Sequence, residues 1–97
     1  MPTYVTLLRW TDEGARNVKD TVQRARQVRA DFERRGITRF DILWTQGQYD
    51  IVGITEAPDD QTLAAALLAL ATRGTVRSET LRAFNESEME QVLQRLG

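Results

Sequence analysis

Hydrophobic residues recur along the chain with two different periods, and the change from one period to the other predicts the secondary structure. Stretches rich in β-branched and aromatic residues, with apolar and polar positions alternating, are typical of strands, whereas apolar spacings of three and four are typical of amphipathic helices. Four segments follow the strand pattern: residues 3–10, 37–45, 49–56 and 75–84. Three helical patterns separate or follow them.

The helices are predicted from their apolar faces and from capping residues. The three predicted apolar faces are Val18, Val22, Ala25, Val28 and Phe32; Leu63, Leu67, Leu70 and Ala71; and Met89, Val92, Leu93 and Leu96. Gly36 and Gly74 stand where helices commonly end. An aspartate after Pro58 is the expected N-cap of the second helix, and Asn85 with Glu88 forms a capping-box pattern for the third. Residues 11–20 are polar, contain a glycine and predict a loop or an irregular helix start.

The element order is therefore β-α-β-β-α-β-α. Its first six elements match the ferredoxin-like βαββαβ pattern, an α+β fold with a four-stranded antiparallel sheet and two helices on one face. An up-and-down path with right-handed crossovers gives the strand order 4-1-3-2, followed by an extra C-terminal helix. The length of 97 residues predicts a single domain over residues 1–97.

The first and third strands carry apolar residues on both sides, which a free-standing sheet with helices on one face does not require. The first strand places Val5 and Leu7 on one side and Tyr4, Leu8 and Trp10 on the other. Two apolar faces with helices for only one leave a patch that water should not cover. Either the last helix folds over this patch or a second copy of the chain does. We expect a homo-oligomer, a dimer or larger, with sheets packed face to face and the last helix at an edge.

Composition narrows the possible chemistry. The chain has no cysteine and no histidine, which excludes disulfides within the chain and Cys/His zinc sites and removes the commonest general base. The net charge is −1, which argues against a general nucleic-acid binder. No signal peptide and no membrane-spanning run is apparent, so we expect a cytoplasmic protein. We also expect no metal site, because the sequence shows no pattern of metal ligands. The sequence identifies no cofactor.

Three segments, "RWTDEGARNVKD", "WTQGQYDIVGITEAPDD" and "VRSETLRAF", resemble the GYD-domain family. The signature that gives this family its name is matched by Gly47, Tyr49 and Asp50. The resemblance extends over nearly the whole chain and implies a dimeric α+β barrel, in which two ferredoxin-like sheets pack against each other. It implies no defined activity, because relatives with this fold include cofactor-independent oxygenases, isomerases, haem-degrading enzymes and ligand-binding modules.

The predicted topology brings several residues to one end of the sheet, where a small organic ligand could bind. These residues are Trp10, Asn17, Lys19, Trp44, Tyr49 and Asp50. If Gln46-Gly47 forms a two-residue turn, Trp44 lies opposite Tyr49, and Asp50 shares a face with Val52 and Ile54.

Asp50 is the best candidate for a general base, but it has a structural alternative. A carboxylate at the rim of an apolar surface needs a hydrogen-bond donor or a raised pKa. In the functional interpretation, Asp50 takes a proton or anchors a ligand. In the structural interpretation, it accepts hydrogen bonds from the backbone or from Lys19 and fixes the loop at residues 11–20. For Trp10 and Trp44, a place in the core or in an interface is favoured over a role in holding a cofactor.

Three functions stay open at this point. The first is a homo-oligomeric module that binds a small molecule without catalysis. The second is a cofactor-independent oxygenase or isomerase with Asp50 as its base and Tyr49 or Asn17 orienting the substrate. The third is a structural or regulatory assembly module.

Overall fold

The computed structural model describes residues 1–97 and contains four strands and four helices. The strands are β1 (Thr3–Trp10), β2 (Arg39–Trp44), β3 (Ile51–Glu56) and β4 (Val76–Ala83). The helices are α1 (Asp12–Arg16), α2 (Thr21–Arg34), α3 (Asp60–Ala71) and α4 (Glu86–Gln94), with a short 3₁₀ turn at Val18–Asp20 between α1 and α2. No helix is both long enough and apolar enough to cross a membrane.

The four strands form one antiparallel sheet in the order β2-β3-β1-β4. This is the predicted order 4-1-3-2 read from the opposite edge, and it confirms the ferredoxin-like prediction. β1 and β3 occupy the centre of the sheet, in agreement with their apolar residues on both sides. In the register, Tyr4 lies opposite Thr55 on one side and Arg82 on the other.

The core lies between one face of the sheet and helices α2 and α3. Its buried members are Tyr4, Leu8, Val28, Phe32, Ile37, Ile51, Ala57, Leu63, Ala66 and Leu70. Phe32 of α2 meets Phe40 of β2 edge to face, with ring centroids 5.1 Å apart. Aromatic pairs favour this geometry, because the positive edge of one ring faces the negative face of the other. The packing of α2 against β2 therefore depends on a specific contact in addition to buried area.

Two predicted helix faces need correction. Val18 and Val22 were expected to be buried but are 37% and 46% exposed. Val18 lies in the 3₁₀ turn, which breaks the helical period, and the buried side of α2 begins further along, at Val28. In α3 the predicted Ala71 is exposed and Ala66 is buried, because positions 63, 66 and 70 face the sheet.

The capping predictions are confirmed. The side chain of Asp59 accepts a hydrogen bond from the backbone N–H of Thr62 at 2.8 Å and so caps α3. Asn85 and Glu88 form the reciprocal capping box of α4, at 2.8 and 3.0 Å. These side chains satisfy backbone donors that the first turn of a helix leaves without partners.

The polar segment at residues 11–20 is ordered by a close approach to the turn before β4. Thr11 donates from its backbone N–H to the carbonyl of Thr75 at 3.1 Å and from its hydroxyl to the carbonyl of Gly74 at 2.6 Å. A Cβ on Gly14 would lie only 2.0 Å from the carbonyl oxygen of Thr75. Gly14 is therefore needed for α1 to pack against this turn.

The second face of the sheet is not covered within the chain. α4 buries none of its residues, so the last helix does not fold over this face. Its predicted apolar side is exposed at Met89, Val92, Leu93 and Leu96. The single chain thus leaves two apolar surfaces without a partner, one on the sheet and one on α4.

Candidate functional site

The β2–β3 hairpin, which contains most of the predicted site, differs from the two-residue turn expected at Gln46-Gly47. Trp44 pairs with Ile51 and not with Tyr49, so residues 45–50 form a longer loop. Thr45 closes this loop: its N–H donates to the carbonyl of Asp50 at 2.8 Å, and its hydroxyl donates to the carbonyl of Tyr49 at 2.6 Å. Gln-Gly is a weak hairpin turn, and the hydrogen bonds of Thr45 stabilise a wider loop.

Asp50 has a structural role in this arrangement. Its Oδ2 atom accepts a hydrogen bond from the backbone N–H of Trp10 at 2.9 Å, and its own N–H donates to the carbonyl of Leu8 at 2.9 Å. The carboxylate therefore joins the hairpin loop to the end of β1. Of the two interpretations of Asp50, the backbone-bonded one agrees with this geometry, and Lys19 is not its partner.

Tyr49 lies against charged residues at the same end of the sheet. The guanidinium of Arg9 lies over the Tyr49 ring, 4.9 Å from its centroid, and the Tyr49 hydroxyl donates to Oε2 of Glu79 at 3.3 Å. These contacts place Tyr49 in an open groove on the uncovered side of the sheet, which Leu7 and Arg77 also line. Arginine over an aromatic ring is a common feature of interfaces as well as of ligand sites.

The six predicted site residues do not form one cleft. Trp44 points to the helix side, where its Nε1 donates to the hydroxyl of Thr21 at 3.0 Å. Asn17 is exposed and donates from its side chain to the carbonyl of Glu13 at 2.9 Å, and Lys19 is exposed. The connectivity argument placed all six at one end of the sheet, but it could not tell which side of the sheet each side chain would occupy.

The sheet face opposite α2 and α3 is uncovered within the chain and is here called the open face. Its apolar residues are Val5, Leu7, Leu43, Val52, Ile54 and Leu81. Leu43 is 63% exposed and Leu81 is 47% exposed. Charged residues surround this apolar centre: Arg9, Arg39, Asp41, Glu56, Arg77 and Glu79. An apolar centre within a polar rim is the usual anatomy of a protein interface.

Sequence reasoning identified the open face through Val5, Leu7, Val52 and Ile54 but missed the contribution of Leu43 and Leu81. Leu43 and Leu81 could have been assigned to the open face from the sequence, because each alternates with helix-facing neighbours on its edge strand. No group of three or more acidic, histidine or cysteine side chains in the chain is arranged to hold a metal ion.

The fold and the open face define a ferredoxin-like α+β domain with an interface-like sheet surface. This chain belongs to the GYD domain family, whose sequence model matches residues 4–93. It is similar to a protein of Thermus thermophilus described as "Glutamine synthetase and cystathionine beta-lyase binding protein". The two are 36% identical over 93 residues, which cover 92% of this chain and 95% of the relative. No solved structure shows significant similarity to the chain.

Proposed function

We propose that this protein is a non-catalytic, homo-oligomeric binding module that associates with a metabolic enzyme of the glutamine synthetase or cystathionine β-lyase kind. The observation that carries the homo-oligomer is the open face, which presents apolar residues inside a charged rim. The enzyme partner is supported by the binding activity named for the Thermus relative, because the similarity covers 92% of this chain. Among the three functions considered from the sequence, this choice favours the assembly module.

Self-association accounts for the two surfaces that a single chain leaves uncovered. The rim of the open face carries arginines and carboxylates together, so two copies related by a twofold axis can pair opposite charges. The exposed apolar side of α4 would then pack on the second copy. The radius of gyration of 14.6 Å supports this assembly, because a compact 97-residue domain is expected to have about 12.5 Å. The excess agrees with a helix that extends from its own domain.

The geometry of Asp50 speaks against the oxygenase or isomerase alternative. A general base must reach the proton that it removes, with its lone pairs available to the substrate. One carboxylate oxygen of Asp50 instead accepts the Trp10 N–H at 2.9 Å, and the groove beside it holds no histidine or cysteine. The same residue that would act as the base is used to hold the sheet and the hairpin together.

The test separates the oligomer from enzyme binding. The protein is studied by sedimentation velocity at micromolar concentration and by surface plasmon resonance against glutamine synthetase and cystathionine β-lyase from its own organism. We expect a dimer or larger assembly, and saturable binding to at least one enzyme. The Leu81→Asp variant places a charge in the open face and should give folded monomers. The matched control is Leu68→Asp on α3, where the leucine is already 69% exposed.

Two results would contradict the proposal. A monomeric wild-type protein would refute self-association through the open face, and equal dissociation by both variants would place the interface elsewhere. Failure of the assembled protein to bind either enzyme would refute the partner assignment while leaving the oligomer intact.

A further inference from the structure

The helix-covered side of the sheet contains a cavity of about 70 Å³ that lies inside the chain and not on the open face. Its walls are mainly apolar and come from β1, β2, β3, α2 and α3, with Leu8, Val28, Ile42, Ile51 and Leu70 among them. A buried water needs about 10–15 Å³ of such volume. The cavity is therefore larger than a single water needs and smaller than the roughly 150 Å³ that holds a benzene ring, so a ligand inside it can have only a few heavy atoms.

A glycine in the middle of the sheet leaves this space empty. Gly53 lies in β3, on the same side as Ile51 and Thr55, where its neighbours in the alternating pattern carry bulky or branched side chains. A Cβ on Gly53 would meet only the carbonyl oxygen of Asp41, at 3.8 Å. Glycine weakens a strand interior relative to residues with side chains. The chain could hold a larger residue here, and a glycine instead opens the cavity.

Two buried polar groups at the cavity have no partner within the protein. Thr55 is only 3% exposed, and its hydroxyl forms no hydrogen bond. The indole N–H of Trp10 is also buried without an acceptor. Leaving such a group without a partner costs about 1–3 kcal/mol. Both residues line the cavity, so an oxygen placed there can pair with either group, and an acceptor at the Trp10 end satisfies the indole N–H.

The charged residues around the cavity favour a ligand with negative charge. Arg24 and Arg73 line it together with the hydroxyl residues Thr21 and Thr75, and no aspartate or glutamate is among the lining residues. Arg24 is held in place by donating from Nη1 to the carbonyl of Asn17 at 2.7 Å. Arg73, which follows α3, is exposed. Two guanidinium groups beside an apolar cavity favour a ligand with a carboxylate at one end.

We propose that this cavity binds a short aliphatic carboxylate of about three or four carbons. The carboxylate lies near Arg24, Arg73 and the Trp10 indole N–H, and the chain lies between Leu8 and Leu70. This site is separate from the open face and does not depend on the enzyme-binding proposal.

The experiment uses the 97-residue chain and two probes, propionate and butyrate, with 1-butanol as the uncharged comparison. Binding is measured by isothermal titration calorimetry. The indole resonances are followed by ¹H–¹⁵N correlation NMR and are assigned with Trp44→Phe. We expect both carboxylates to bind and to shift the Trp10 indole signal. 1-Butanol should bind about tenfold more weakly than butyrate, since it lacks the charge-assisted hydrogen bonds.

Variants locate the probe within the chain. Gly53→Val fills the cavity and should abolish binding, and the milder Gly53→Ala, which meets no close neighbour, should weaken it with the fold intact. Arg73→Gln should weaken butyrate binding about tenfold. The matched control Arg26→Gln, at an exposed position of α2 that does not line the cavity, should leave it unchanged.

The proposal is overturned if neither carboxylate binds, which would mean that water alone fills the cavity. It is also overturned if both glycine variants, each shown to be folded, bind as the wild type does. Equal affinities for 1-butanol and butyrate would refute the assignment of a carboxylate ligand.

Discussion

The two faces of the sheet have similar apolar content along β1 but very different surroundings. On one face, Tyr4 and Leu8 are buried under α2 and α3; on the other, Val5 and Leu7 share a surface with the exposed Leu43 and Leu81. The covered face stabilises the single chain and contains the cavity. The open face can contribute hydrophobic stabilisation only when another molecule removes it from water. The apolar residues of β1 therefore serve two purposes: those on the covered face stabilise the fold, and those on the open face can stabilise association.

The largest expected effect breaks the covered face. Phe32→Ala removes a ring that is 3% exposed and packed edge to face on Phe40, and it should lower the free energy of unfolding by about 3–5 kcal/mol. Leu81→Ala on the open face should lower it by less than about 1 kcal/mol in the monomer and more in the assembly. Urea denaturation at several protein concentrations measures both. Equal losses in the dilute protein would show that the faces do not differ as described.

A pair of identical substitutions sharpens the comparison within the covered side. Gly14→Ala forces a Cβ toward the Thr75 carbonyl, at 2.0 Å before relaxation, and should destabilise the fold by about 1–3 kcal/mol. Gly53→Ala adds the same methyl group in the cavity and should stabilise it by about 0.5–1 kcal/mol. Thermal unfolding followed by circular dichroism distinguishes them. Destabilisation of similar size in both variants would contradict the presence of free space at Gly53.

Asp50 tests the link between the hairpin loop and the end of β1. Asp50→Ala leaves the Trp10 N–H without its acceptor and should lower the free energy of unfolding by about 1–3 kcal/mol. Asp50→Asn keeps an acceptor oxygen and should lose roughly half as much. Tyr49→Phe, which removes only a 3.3 Å hydrogen bond at an exposed site, is the control. If Asp50→Ala unfolds at the wild-type urea concentration, the hydrogen bond has no structural role.

The smallest expected effect is a pH dependence at the edge of the covered face. Tyr4 donates a hydrogen bond to Asp60, and this bond, together with burial, raises the pKa of Tyr4 above its ordinary value of 10.0. The unfolded chain then loses this proton at a lower pH than the folded chain does. Stability from Tyr4 is therefore present below about pH 10 and falls as the pH rises through the raised pKa.

Tyr4→Phe isolates this term, because all other titrating groups are the same in both proteins. The difference in unfolding free energy between wild type and variant should shrink between neutral pH and pH values above 10. A difference that is constant over this range would show that the Tyr4–Asp60 contact does not shift the titration of Tyr4.

Much of the fold could be predicted because local patterns and tertiary structure agree. The alternation of apolar and polar residues predicted the four strands, Asn85 with Glu88 predicted the start of α4, and the element order predicted the sheet topology. The errors have local causes as well. The 3₁₀ turn at Val18–Asp20 interrupts a helical period that is continuous in sequence, and Thr45 widens a turn that Gln46-Gly47 only weakly specifies.

The candidate site was harder to predict than the fold. Connectivity indicates which end of the sheet a residue occupies, but Trp44 and Tyr49 lie on different sides of the hairpin, which depends on its register. The role of Asp50 depended on one backbone donor from β1, a strand 40 residues earlier in sequence. The cavity beside Gly53 was not predicted, since empty space between helices and sheet leaves no periodic signal.

By itself, the sequence determined the α+β class, the order of the elements, their main caps and the presence of two apolar sheet faces. These follow from local propensity and from periods of two and 3.6 residues, which need no distant contact. Only the tertiary structure decided that α4 leaves the open face uncovered, that Asp50 bonds the end of β1 and that Gly53 opens a cavity. Each of these depends on packing between segments far apart in the chain, where distances of a few ångströms decide which groups meet.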